Sequence, residues 1–144
     1  LTQLHPGDLK AAFLELEYDA EENFDGRWNP VGGNGWEPQV KQDVTQDFVG
    51  VELQGDEPEA LADLWGRCTD LPVEHDAAGN PTIAFNNVVL RFTAVVDGRG
   101  PGLGGLDIAV ANREHILREA RARNAYVSDD QVNICGTRWY LKDA

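Results

Sequence analysis

The feature that most constrains this chain is an internal repeat, because a repeat dictates architecture before any single residue does. Phe48-Val49-Gly50-Val51-Glu52-Leu53 runs through Gln54-Gly55 toward a helix start at Asp56, and Gly105-Leu106-Asp107-Ile108-Ala109-Val110 runs through Ala111 toward another at Asn112. Gly50 matches Gly105, Val51 matches Leu106 and Leu53 matches Ile108 at an offset of 55. The caps Asp56 and Asn112, and the apolar Leu61 and Leu117, match at an offset of 56. The chain therefore contains two strand–helix units in tandem.

Local signals extend each unit. The first helix has Asp56 as N-cap, Glu59 three residues later as a capping box, and Pro58 in its first turn. Leu61, Leu64, Trp65 and Cys68 then fall on one buried stripe. Residues 71–75 read as a short strand, and residues 82–85 and 88–95 as a hairpin across Asn86-Asn87, which suits a type I′ turn. Residues 98–105 form a glycine-rich link. It lacks the Gly-Lys-Ser/Thr ending of a phosphate loop and leads into a strand, so it reads as a flexible hinge. The second helix turns Ile116, Leu117 and Ala120 inward and leaves Arg113, Arg118, Arg121 and Arg123 solvated; residues 126–127 are extended, and residues 132–141 are the last strand. Ahead of the repeat, residues 1–6 read as irregular and residues 11–18 as a strand with alternating Glu15, Glu17 and Asp19. The Gly- and Trp-containing stretch between them and the first unit (19–46, with Trp28 and Trp36) reads as a connecting crossover pinned against the rest.

Each unit is too small to bury its own sheet. The expected architecture is α+β: two βαβββ modules (47–97 and 103–144) joined into one curved, cup-shaped mixed sheet with the helices outside. Period-two alternation divides the strands. Val51, Leu53, Leu90, Phe92, Leu106, Ile108, Val110, Trp139 and Leu141 should meet the helices. Gly50, Glu52, Arg91, Gly105, Asp107, Arg138 and Tyr140 should line the hollow side, which suits either a binding cup or internal ion pairs.

Composition excludes several partners. The 144 residues are 42% hydrophobic, with no apolar run near the ~18 residues a membrane span needs and no secretory signal. The net charge of −13 argues against nucleic acid and anionic membrane, which demand clustered Lys and Arg. Cys68 at a helix end and Cys135 in a strand read as buried free thiols and point to the cytoplasm, with a single disulfide as the alternative. The first residue is Leu1 and the chain has no Met, so a processed or truncated product is expected.

The tandem arrangement resembles the vicinal oxygen chelate superfamily, the group of glyoxalase I, methylmalonyl-CoA epimerase, bleomycin-resistance proteins and extradiol dioxygenases. The residues that carry the resemblance are Gly50-Val-Glu-Leu-Gln-Gly-Asp-Glu-Pro-Glu-Ala-Leu-Ala-Asp-Leu-Trp65 and Gly104-Gly-Leu-Asp-Ile-Ala-Val110. A second stretch, Leu4-His5-Pro6-Gly7-Asp8 followed by Ala11-Ala12-Phe13-Leu14-Glu15-Leu16, resembles the last strand of an epimerase-like domain, where a Glu ligates the metal. The resemblance makes residues 1–18 the tail of a preceding glyoxalase-like domain; an added edge strand, pairing with a partner chain in a homodimer, is the alternative.

Active members of that superfamily hold one divalent metal on His, Gln or Glu side chains from four strands and use it as a Lewis acid or for oxygen activation. Carried onto this chain, the four positions fall at Gly50, Arg91, Gly105 and Tyr140. Glycine has no donor and Arg stays protonated, so the resemblance implies a domain with no metal or other cofactor of its own. Glu15 is the one position matching a ligand, either in a divalent-metal site completed elsewhere or as a solvated edge carboxylate; His5 reads as a further ligand or as a loop residue. Glu52, Arg91, Asp107, Arg138 and Tyr140 are the candidates to hold a small molecule in the cup, as in bleomycin-resistance-like binding proteins, or to fill it with ion pairs. Any catalysis, as a lyase, isomerase or dioxygenase, is expected in the missing domain. No Gly-x-Ser-x-Gly elbow or Cys–His pairing points to a nucleophile.

Overall fold

The repeat folds as two copies of one unit. The computed structural model describes residues 2–18 and 35–144. A short leading segment holds β1 (Thr2–Leu4), α1 (Pro6–Leu9) and β2 (Leu14–Leu16), and a single 3-10 turn follows at Glu37–Gln39. The first module comprises β3 (Thr45–Gly55), α2 (Pro58–Thr69), β4 (Glu74–His75), β5 (Pro81–Ala84) and β6 (Val89–Ala94). The second comprises β7 (Gly102–Val110), α3 (Arg113–Ala122), β8 (Tyr126–Ser128), β9 (Gln131–Ile134) and β10 (Thr137–Asp143). Most of the linker, including Trp28, lies outside the described residues.

The ten strands make one eight-stranded mixed sheet, in the order β4-β5-β6-β3-β7-β10-β9-β8, and a separate pair, β1-β2. Within each module the first strand lies parallel to the last, β3 beside β6 and β7 beside β10, while β3 and β7 join the modules antiparallel. The registers carry the repeat across: Val51 faces Leu90 as Leu106 faces Trp139, and Leu53 faces Phe92 as Ile108 faces Leu141. The expected helix-facing set is where the cores form. Leu53, Leu61, Ala62, Trp65, Ile83, Leu90 and Phe92 are buried around α2. Ile108, Val110, Leu117, Ala120, Val132 and Leu141 are buried around α3.

Several local expectations are corrected. The α2 cap is Glu57, with no side-chain hydrogen bond, and Glu59 pairs with His75 Nε2 at 3.1 Å instead of closing a capping box. Asn112 does cap α3, its side chain accepting from the His115 N–H at 3.0 Å. Neither Asn86 nor Asn87 takes a positive φ, so their turn is not type I′. The turn with two left-handed residues is Cys135-Gly136 (φ 51° and 80°), flanked by the Ile134–Thr137 pair, and it splits the expected last strand into β9 and β10. Cys135 is consequently exposed on a turn, and both cysteines are free. Half of the glycine-rich hinge is strand, since β7 begins at Gly102.

The leading segment differs most from expectation. Thr2–Leu4 is a strand rather than irregular chain, and it pairs antiparallel with a β2 of only three residues. β2 therefore does not join the main sheet, and Leu16 and Tyr18 are exposed. The connecting α1 is capped by His5, whose Nδ1 accepts from the Gly7 N–H at 3.0 Å. Its Leu9 is 2% exposed within the first module's core, and Trp65 Nε1 donates to the Leu9 carbonyl at 3.1 Å. Leu9→Ala is expected to cost about 2–5 kcal/mol in urea-induced unfolding followed by tryptophan fluorescence. A loss within experimental error would show that the segment does not close the core.

Candidate functional site

Alternation on β3, β6, β7 and β10 sends every second side chain to the sheet face opposite the helices. The five residues singled out for a ligand, Glu52, Arg91, Asp107, Arg138 and Tyr140, meet there in one network. Glu52 is at its centre and only 4% exposed. Its Oε2 accepts from Arg91 Nε and Nη2 at 3.2 and 3.1 Å. Its Oε1 accepts from Arg138 Nε and Nη2 at 2.9 and 2.8 Å and from the Tyr140 hydroxyl at 3.2 Å. Arg91 also holds Asp107 through two bonds of 3.0 Å, Nη1 to Oδ2 and Nη2 to Oδ1. Both arginines have every side-chain nitrogen engaged.

The cluster extends to residues that the sequence reading did not single out. Arg138 Nη2 donates to Gln54 Oε1 at 2.8 Å and Nη1 to Asp97 Oδ2 at 2.7 Å. Gln54 Nε2 in turn donates to Asp97 Oδ1 at 2.8 Å and to the Gly100 carbonyl at 2.9 Å. Gln54 follows Glu52 by two on β3, so alternation alone places it on this face. Asp97 lies in the irregular connection between the modules and carries no sequence signal.

Glycines make room for these charges. A Cβ at Gly50 would lie 2.6 Å from Asp107 Oδ2, and one at Gly105 would lie 2.7 Å from Tyr140 Cε2. A Cβ at Gly104 would meet Glu52 Oε1 at 2.9 Å and the Arg138 guanidinium. The Arg91 guanidinium also sits 5.0 Å from the centre of the Tyr140 ring, within cation–π range.

The electrostatics follow from this packing. Burial works against the charge of Arg91, but hydrogen bonding to Asp107 and the fields of Asp107 and Glu52 outweigh it and hold the proton more firmly than usual. Tyr140 is pushed above its ordinary value of 10.0, first by burial and then by the field of the Glu52 carboxylate. Its neutral hydroxyl thus contributes stability that is fully present below pH 10 and lost as pH rises through the raised value.

A divalent metal does not fit these residues. The oxygens of Glu52 and Asp107 are taken by guanidinium groups, and Arg91 is a permanent cation among them. Of the four positions the resemblance assigned to metal ligands, Gly50 and Gly105 offer no side chain, and Arg91 and Tyr140 belong to the network. Among the described residues no group of three or more His, Cys, Asp or Glu side chains is placed to hold a metal. Glu15 is exposed on β2, off the main sheet, and accepts a hydrogen bond from Gln3. His75 pairs with Glu59 and His115 with Arg118, both on the surface.

The chain shares its fold with solved structures of other proteins. Among solved structures it is similar to methylmalonyl-CoA epimerase from Mycobacterium tuberculosis, at a TM-score of 0.51 and 12% identity, over 71% of this chain and 90% of that one. It is also similar to a xylose isomerase-like TIM barrel/4-hydroxyphenylpyruvate dioxygenase fusion protein, at a TM-score of 0.51 and 17% identity, over 75% of this chain and 22% of that one. At these identities the likeness is one of fold. No protein-family model and no curated protein matches the sequence. No helix among the described residues is long and apolar enough to cross a membrane.

Two measurements probe the network. Glu52→Gln removes the shared counter-charge of two partly buried arginines and is expected to cost about 3 kcal/mol in urea unfolding; an unchanged midpoint would mean the ion pairs form no energetic unit. Between pH 9 and 11 the wild type should lose stability more steeply than Tyr140→Phe, and parallel curves would contradict the assigned origin of the alkaline loss.

Proposed function

We propose that this is a non-metal domain of the vicinal oxygen chelate fold, serving a structural role beside chemistry carried out elsewhere. The observation that carries this reading is Glu52, whose two carboxylate oxygens are each claimed by a guanidinium. A carboxylate so engaged has no lone pair to offer a cation, and the surrounding arginines would repel one. The same network disfavours the cup as an open small-molecule site, since every side-chain nitrogen of Arg91 and Arg138 already donates within it.

In this reading Glu15 is the residue that faces outward chemically. It is exposed on a two-stranded sheet and can join a metal site completed by a preceding domain or a second copy. Any lyase, isomerase or dioxygenase activity belongs to that completed site. Elemental analysis and calorimetry with Zn²⁺, Mn²⁺ and Co²⁺ test the proposal on the chain itself. The expected result is no stoichiometric, tightly held ion. One ion per chain that is lost in Glu52→Gln would overturn it.

A further inference from the structure

The connection between the modules closes one end of the cup, and its hold is almost wholly polar. Val96 is 74% exposed, and Gly98 and Gly100 both take left-handed φ values, of 73° and 83°. Among the described residues, the side-chain contacts that tie this stretch to the sheet are those of Asp97 and the Gly100 carbonyl. Asp97 places Oδ2 2.7 Å from Arg138 Nη1 and Oδ1 2.8 Å from Gln54 Nε2, while Arg99, on the same strap, contributes a backbone bond of 3.1 Å and a side-chain bond of 2.6 Å. This is a two-point carboxylate clamp, with one charged donor on β10 and one neutral donor on β3, the two strands that flank β7, aimed at the two oxygens of one acid. Thr93, the partner of Gln54 across β3 and β6, has a buried hydroxyl with no hydrogen-bond partner at the same end of the cup.

The geometry points to Asp97 as a built-in occupant of a carboxylate-binding subsite formed by Arg138 and Gln54, which a small carboxylate ligand takes when the 97–100 strap lifts. The strap is an autoinhibitory contact: the chain supplies its own acid to a site that would otherwise present an unpaired Arg138 Nη1 and Gln54 Nε2. Displacing it uncovers no buried apolar side chain, because Val96 is exposed and residues 97–100 carry none. Arg138 keeps its two bonds to Glu52 throughout, so the centre of the network is preserved while its edge opens.

Chemical rescue tests this on the full chain and does not depend on metal content. Asp97→Ala leaves Arg138 Nη1 without its acceptor and Gln54 Nε2 with the Gly100 carbonyl alone. Its melting temperature is expected to fall by about 4 °C and to recover at least halfway in sodium acetate, compared with sodium chloride at equal ionic strength. The wild type and Asp97→Ala/Gln54→Leu should respond to acetate no more than to chloride. If Asp97→Ala fails to fold, the isosteric Asp97→Asn replaces it, with acetate binding followed by titration calorimetry. Saturable, acetate-specific protection or binding in the single variant supports the subsite. An acetate response no larger than that of chloride, or one shared equally by wild type and variant, overturns it.

Discussion

The structure turns on one carboxylate. Glu52 belongs to the first module by sequence, yet it is bonded by Arg91 of its own module and by Arg138 and Tyr140 of the second. Arg91 crosses in the opposite sense to Asp107. The antiparallel β3–β7 pairing brings the modules side by side, but backbone ladders alone would tolerate sliding. Charged contacts with fixed fork geometry do not, since a shift of one residue would present Glu52 to the helix-facing side and strand two buried guanidinium groups. The network thus selects one register out of those the ladder permits. Around it, three carboxylates of Glu52, Asp97 and Asp107 balance three guanidiniums of Arg91, Arg99 and Arg138. A chain with a net charge of −13 has therefore gathered its cations around these acids, with the Lys142 ammonium a further 4.0 Å from Asp107.

The two faces of the sheet answer different demands. The helix side is two separate apolar cores, one per module, each centred on its own helix. The opposite side is continuous across the module boundary and polar. Stability within a module therefore comes from burial, and cohesion between modules from hydrogen-bonded charge. The leading segment belongs to the first of these systems. Leu9 sits in the α2 core, and the indole N–H of Trp65, which would otherwise be stranded by burial, is satisfied by a carbonyl of that segment.

Much of this was legible in the sequence because repeats and alternation are long-range patterns that no single residue can spoil. The offset of 55 reappears as matched registers on β3–β6 and β7–β10, and the residues assigned to the hollow face meet there. What was illegible depended on local backbone choices. Asn86-Asn87 and Cys135-Gly136 are both plausible turns, yet the left-handed pair formed at Cys135-Gly136, where glycine removes the steric cost for one of the two positions. Pro58 at the start of α2 moved the cap to Glu57 and left Glu59 for His75, so a correct helix carried a wrong capping box. Strand β1 was missed because Thr2–Leu4 is too short for periodicity to register, and Asp97 because a loop acid has no pattern to betray it.

The glycines under the network carry an evolutionary consequence. Gly50 and Gly105 each stand where any added Cβ would run into a neighbouring network residue, Asp107 in one case and the Tyr140 ring in the other. A side chain able to chelate cannot be installed at Gly50 without displacing Asp107 from Arg91, or at Gly105 without displacing the Tyr140 ring, and the first of these leaves a charge unmatched. A mutational route to a chelating cup therefore runs through an unstable intermediate. The network residues packed against Gly50 and Gly105 hold those glycines in place.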